Sequence, residues 1–230
     1  MGNKNINELC LLVQARLNSE RVPRKMVRPF GESNLLDILF KKLKKLSNIP
    51  QNNIFLSAYE EELKEVAFKN RINIYHRSKK SADSEGQTLS EIYEWHDKLP
   101  FKYVVMVSAC NPLLKVHTID NFIDSFIRSD KDGAFAVFQK KTYYWDKDLQ
   151  PTTDWKDLPV MNTKFVDPVY EAAHCLYGSK MDWIKEGFWL DNKSPAQPEL
   201  FVMEELEAFD IDYPWQFKIA QELYLSKESF

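Results

Sequence analysis

A three-layer α/β fold on a mostly parallel sheet, with one small excursion, is the architecture this sequence predicts, and three observations predict it. Short apolar runs of strand length alternate with amphipathic segments at helical spacing, the pattern of strands joined by covering helices. The runs at 9–13 and 103–107 are apolar throughout, as strands buried on both faces must be. Hydrophobic residues make up 44% of the 230 and charged residues 28%, so a large single core is expected and disorder is not.

Residues 8–14 read as a buried strand that opens into a polar, cationic loop over 15–28. Residues 34–46 are apolar at helical spacing and carry lysines at the C-terminal end, where cations suit the helix dipole. A strand at 53–57, a charged helix at 60–69 and a short strand at 72–75 follow. Residues 87–95 look helical, 103–107 form the most strand-like run, 118–127 an amphipathic helix and 133–138 another strand. From 139 to 168 the pattern weakens, with Trp145 and Trp155 among prolines. This excursion lies within one domain spanning 1–230 and reads as a lid, a dimerisation arm or a cover for one end of the sheet. Regular structure resumes near Ala172, and 214–225 closes as a helix.

Composition narrows the function classes. The formal net charge of −3 gives no reason to expect nucleic acid or a membrane surface as partner. Cys10, Cys110 and Cys175 are odd in number and widely spaced, which argues against a disulfide framework and for a reducing compartment. No apolar run approaches membrane-spanning length, and the polar start lacks a signal-peptide core, so a cytoplasmic location is expected. His76, His96, His117 and His174 show no metal-ligand spacing. Only 6 glycines are present, where average usage would give roughly 16. The glycine-rich phosphate loops are therefore absent, and any phosphate cradle must be made of side chains.

Two segments could carry chemistry. The loop 14–28 holds Arg16, Arg21, Arg24, Lys25 and Arg28 against the single acid Glu20, at the place where α/β sheets gather ligands. Guanidinium forks and a lysine suit phosphate oxygens, and Ser19 can donate a hydroxyl; equally, such a loop can be a solvated cationic surface. Near the other end, Asp210 and Asp212 would share one face if they lay on a strand, a pair suited to Mg²⁺. Alternatively Asp212 caps the final helix, with Pro214 in its first turn and Asp210 solvated.

The loop resembles the A-R-x-G-S-x-R-[LI]-P-x-K signature of nucleotide-sugar cytidylyltransferases of the acylneuraminate and KDO type. Ala15, Arg16, Ser19, Arg21, Pro23 and Lys25 match, while the usual glycine is Asn18, a residue that tolerates positive φ. The stretch 204–220 is similar to the family's D-I-D-T-P ending. Residues 107–114 resemble its strand-end segment, with Cys110 where the KDO type has an aspartate. Residues 168–177 resemble P-P-x-Y-x-x-N-G-A-x-Y, with Ala173-His174 in place of Asn-Gly.

This resemblance implies a Rossmann-like nucleotidyltransferase fold. It implies transfer of CMP from CTP to an acidic sugar, sialic-acid-like or KDO-like, with release of pyrophosphate, for surface polysaccharide or glycoconjugate synthesis. It implies that Arg16, Arg21, Lys25 and Asp212 are catalytic. Nucleotide contacts fall to Ala15, Arg16, Asn18, Ser19, Lys25, Arg77, Thr88 and Ser108, and acceptor contacts to Lys164, Tyr170 and Tyr177. Mg²⁺ would sit on Asp210 and Asp212, and the protein would be a homodimer. Transfer to a sugar phosphate or phosphonate, and a non-catalytic nucleotide-binding role, remain the alternatives.

Overall fold

β1 (Leu9–Gln14) lies inside the sheet because it is apolar on both faces. It pairs in parallel with β2 (Ile54–Ala58) on one side and with β4 (Tyr103–Val107) on the other. Leu9, Leu11 and Val13 face the larger core, whereas Cys10 and Leu12 face a smaller one built on the buried Trp95. The computed structural model describes residues 4–83, 85–154, 160–186 and 198–226.

The sheet has the order β3-β2-β1-β4-β6-β5-β7, with β3 (Asn73–His76), β5 (Gly133–Lys140), β6 (Val169–Lys180) and β7 (Glu199–Met203). The chain moves outward from β1 to β2 and β3, then returns to β4 on the opposite flank of β1. That reversal opens a crevice at the carboxyl ends of β1 and β4. The sheet is parallel except at β6, which runs antiparallel to both β4 and β5. Within β6 the register with β5 shifts, and His174 at the shift has φ 51°. A bulge of this kind breaks the period-2 pattern that would have marked the strand.

Helices occupy the expected 34–46, 60–69, 118–127 and 214–225 to within a few residues, the stretch 87–95 holds only a short one, and two further short helices were not expected. α1 (Leu35–Leu43) starts after Asn34, whose side chain accepts from the Asp37 N–H at 2.9 Å. α2 (Glu61–Asn70) ends on Arg71 at φ 58°, a left-handed position usually given to glycine. α3 (Lys79–Asp83) and α4 (Leu89–Ile92) are short, and α4 passes into a 3₁₀ turn, Glu94–Asp97, that delivers Trp95 to the smaller core. α5 (Val116–Arg128) lays Ile119, Phe122, Ile123 and Phe126 against the other face of the sheet, and α6 (Met181–Lys185) adds Met181 and Ile184 beside Trp95. α7 (Pro214–Leu225) occupies the closing helix.

One further hydrophobic cluster positions the site. Val22 of the cationic loop, Ile211 between the two aspartates, Leu35 and Ile38 of α1, and Phe217 and Ala220 of α7 pack together with Phe30. Two segments almost 190 residues apart in sequence are thus seated on one apolar base. The excursion carries a bridge between Trp145 and Pro151 and a 3₁₀ turn at Thr163–Phe165; Trp155 lies outside the described residues. No helix among the described residues is long and apolar enough to cross a membrane.

Lys42 on α1 gives the fold a pH dependence. Its ammonium donates to the Leu114 carbonyl at 2.7 Å and also to that of Pro112, and burial lowers its pKa to about 8, opposed by Glu207. Between about 8 and the ordinary 10.5, the unfolded chain holds a proton that the folded chain has lost, so stability rises with pH across that window. Urea titrations at pH 7 and pH 10 should show the wild type gaining on Lys42→Met as pH rises.

Candidate active site

A cavity of about 450 Å³ occupies the crevice beyond β1 and β4. Ala15, Arg16, Ser19, Arg21 and Lys25 form one wall. Gln14 and Tyr93 meet through Trp95, and Arg77 and Ile92 through Ser81, to form the other end with Met106; Glu20, Met26, Cys110 and Asp212 complete the lining.

Local hydrogen bonds shape the cationic loop. The Ser19 N–H donates to Leu17 O at 2.8 Å, Leu17 N–H to Glu60 Oε1 at 2.9 Å, and the Val27 and Arg28 N–H groups both to Arg24 O. Arg24 sits at φ 57°, which swings its side chain out to Glu62 at 2.5 Å, and Arg28 lies over the Phe217 ring at 5.1 Å. Of the five cations, Arg16, Arg21 and Lys25 therefore line the cavity, while Arg24 and Arg28 do not. Asn18 differs from expectation: it is exposed, does not line the cavity and is not among the positive-φ residues. The left-handed residue of this loop is Arg24, so asparagine stands at position 18 without backbone strain.

Asp210 and Asp212 do not lie on a strand. They flank the fully buried Ile211 in an irregular segment whose Ile211 N–H donates to Cys110 O at 3.1 Å. Only Asp212 borders the cavity; Asp210, on the other side of the apolar anchor, is not part of the lining. Nor does Asp212 cap α7: Tyr213 is the N-cap residue, and Gln216 Oε1 accepts from the Asp212 and Tyr213 N–H groups, both at 2.7 Å. The Asp212 carboxylate is thereby left to the cavity, where it pairs with Arg21 at 2.8 Å and lies 3.7 Å from Lys25 Nζ.

Lys25 is the hinge of the arrangement. It is buried, its ammonium donates to Ile211 O between the aspartates, and its charge acts on Asp210. Asp210 Oδ1 is buried without a hydrogen-bond partner. Burial raises its pKa, with Asp212 adding to the rise and Lys25 opposing it. A carboxylate oxygen buried without a donor, beside a second carboxylate at a phosphate-sized cationic wall, fits a hard divalent cation that takes its remaining ligands from phosphates and water. Among the described residues no group of three or more His, Cys, Asp or Glu side chains is arranged to hold a metal alone.

The remaining expected residues divide sharply. Arg77 is 4% exposed and held by Ser81, its Nε donating to Ser81 Oγ at 2.7 Å. Burial lowers its pKa and neighbouring Arg16 lowers it further. Thr88 instead builds the capping box of α4 with Glu91 and is not part of the cavity wall. Ser108 accepts from the Cys110 N–H at 3.1 Å and also stands outside the lining. Cys110 has its pKa raised, chiefly by burial, which keeps it a neutral thiol.

Lys164 is exposed on the excursion, and Tyr170, half exposed at the start of β6, borders a different cavity of about 630 Å³ with Trp145. Tyr177, by contrast, is cross-strand from Met106, which borders the cavity. Its hydroxyl is 3.1 Å from His174 Nδ1, and burial raises its pKa, with Asp210 among the contributing charges. Gln14, Ile92, Tyr93 and Met106 were not anticipated. Gln14 had a legible signal, being the last residue of an apolar strand directly before the cationic loop.

A crevice at the switch point of an α/β sheet, with a cationic wall at one end and an apolar end beside it, is the arrangement of a nucleotide-binding α/β protein. Residues 10–166 match the family model described as cytidylyltransferase. The chain belongs to the cytidylyltransferase family, whose members are nucleotidyltransferase enzymes. It is 22% identical over 134 residues to the spore coat polysaccharide biosynthesis protein SpsF of Bacillus subtilis strain 168. That match spans 57% of this chain and 55% of SpsF. Solved structures agree on the fold. A CMP:2-keto-3-deoxy-manno-octonic acid synthetase complexed with CTP superposes with TM-score 0.69 at 7% identity, covering 95% of this chain and 99% of the other. The 4-diphosphocytidyl-2C-methyl-D-erythritol synthase of Anaerococcus prevotii DSM 20548 gives 0.69 at 13% identity, over 96% and 98%.

Proposed function

We propose that the protein transfers CMP from CTP to a hydroxyl of an acidic sugar, sialic-acid-like or KDO-like, and releases pyrophosphate. The observation that carries this reading is the joining, in one cavity, of Arg16, Ser19, Arg21 and Lys25 with the carboxylate of Asp212. A triphosphate laid along that wall is neutralised by two guanidinium groups and one ammonium. Arg21 and Lys25 are already within reach of Asp212, so the phosphates enter as new partners for cations that are in place. Mg²⁺, held by Asp210 and Asp212, would supply Lewis-acid polarisation of phosphate oxygen and acidify the acceptor hydroxyl.

The chain's own side chains orient the reaction. The acceptor oxygen forms a bond to the α-phosphorus as the bond to pyrophosphate breaks, and the hydroxyl proton leaves with the solvent. Arg16, Arg21 and Lys25 stabilise the departing charge, and no side-chain nucleophile is required. The name of SpsF supports a place in surface polysaccharide synthesis. We assign the protein to the cytoplasm, where CTP is made. We assign it to a homodimer through the excursion, on which Trp145, Met161 and Phe165 are each half or more exposed.

A second reading concerns the acceptor alone. Lys164 and Tyr170 stand away from the cavity, which favours an acceptor other than a sugar acid, such as a sugar phosphate or phosphonate. Purified protein with CTP, Mg²⁺ and a panel of nonulosonic acids, KDO, sugar phosphates and phosphonates decides between them. Pyrophosphate release is expected with a sugar acid. Release only with a phosphorylated acceptor selects the second reading, and release with none removes the transferase assignment.

A further inference from the structure

We propose that the side-chain amide of Gln14, locked by the indole of Trp95, is the group that makes this site select cytosine. The inference rests on the reading that a nucleotide occupies the cavity and adds which residue chooses its base.

Trp95 Nε1 donates to Gln14 Oε1 at 2.8 Å. An indole nitrogen is a donor only, so the amide oxygen must face it and the amide NH₂ must face away. Trp95 cannot turn: it is fully buried among Cys10, Leu12, Val104, Met181 and Ile184. Gln14 lines the cavity, and its Nε2 has no hydrogen-bond partner among the described residues, so two N–H donors open into the cavity. An unflippable amide is a different instrument from a free one. A free glutamine can offer donor or acceptor; this one can offer only donors.

The surroundings are those of a base rather than of a phosphate. Ile92, Tyr93 and Met106 supply apolar and aromatic surface at the same end. Arg77, also in the lining, is fixed by Ser81 through Nε and Nη2, and guanidinium too has no acceptor. Gln14 and Arg77 therefore offer only donors here, while the Tyr93 hydroxyl can donate or accept. Cytosine presents two adjacent acceptors, O2 and N3, along its pairing edge. Uracil places an N–H between its two carbonyls, guanine shows adjacent N–H donors, and adenine alternates donor with acceptor. Only cytosine of the four meets these two fixed sets of donors with neighbouring acceptors, and the others bring a donor against one of them.

The test is the preference for CTP over UTP, read both by titration calorimetry with Mg²⁺ and by kcat/KM. Gln14→Glu keeps an oxygen towards Trp95 and turns the cavity-facing NH₂ into an acceptor. The ratio of CTP to UTP affinity should fall roughly tenfold or more, with the melting temperature within a few degrees of wild type. Gln14→Met should lose CTP affinity without gaining UTP affinity. Trp95→Phe, which frees the amide to turn, should lower the ratio by less and keep turnover, as expected of a positioning residue. A folded Gln14→Glu protein with an unchanged ratio overturns the proposal. A wild type that binds CTP and UTP equally also overturns it, whereas a wild type that binds neither overturns the underlying nucleotide reading, so the two failures are distinguishable.

Discussion

Replacing Asp212 by asparagine is expected to lower turnover roughly a thousandfold, the scale on which loss of a metal ligand and its electrostatic stabilisation acts. The same change should leave CTP binding in the absence of metal no weaker than in the wild type. Both halves follow from the ion pairs. Asp212 holds Arg21 at 2.8 Å and sits 3.7 Å from Lys25, so it competes with phosphate for the cations that phosphate needs. Asparagine releases that competition while removing a hard anionic oxygen. Asp210→Asn tests the other carboxylate, whose Oδ1 is buried without a partner and whose charged form burial disfavours. It should lose turnover to a similar extent while the protein melts no lower than wild type. Single-turnover assays with CTP and calorimetric titrations with and without Mg²⁺ check the pair of effects. A merely structural role for the aspartates would instead lower the melting temperature and leave the ratio of binding to turnover unchanged.

Lys25→Met should be the most damaging change in the cationic wall. Lys25 is buried, and its ammonium donates to Ile211 O at the turn between the two aspartates. Methionine fills nearly the same volume but leaves that carbonyl unpaired and the two carboxylates without their shared cation. A lost hydrogen bond to a charged group costs about 1.5–3 kcal/mol, a fall of roughly 10- to 150-fold in CTP affinity if it appears in binding. A stability loss of about 2 kcal/mol is expected alongside it. Arg16→Met and Arg21→Met, at exposed positions, should weaken CTP binding without that loss of stability. Denaturant unfolding and CTP titration on all three variants separate the phosphate role they share from the structural role that belongs to Lys25.

How much of this could be read beforehand depended on whether the signal was local. β1, β4 and α7 were plain because their apolar residues sit in unbroken or regularly spaced runs, and Pro214 marks a helix start. β6 was placed only loosely, since the bulge at His174 interrupts its alternation and strand direction leaves no trace in composition. β7 escaped because it is a short edge strand with Leu200 and Val202 exposed. At the site, the cationic wall was legible as a contiguous segment, whereas the base end was legible only in part. Arg77 was expected from the resemblance and Gln14 stands at the end of an apolar strand, but Tyr93 and Met106 reach the cavity only through the sheet and the turn after α4, and each is unremarkable in its own stretch. Thr88 has a local role legible in its own stretch: a threonine before a short helix with glutamate three residues later is a capping box.

The scarcity of glycine has a consequence for the thermodynamics of ligand capture. The cationic loop turns at Arg24 rather than at glycine, and is tied down through Glu60, the buried Val22 and Lys25. Residues with a Cβ explore fewer backbone states than glycine, so such a loop has little conformational freedom left to surrender when an anion arrives. Phosphate binding here should therefore carry a small entropic penalty and a correspondingly rigid preference for one chain of phosphates. A glycine-rich loop wraps its anion on arrival; this one waits in shape.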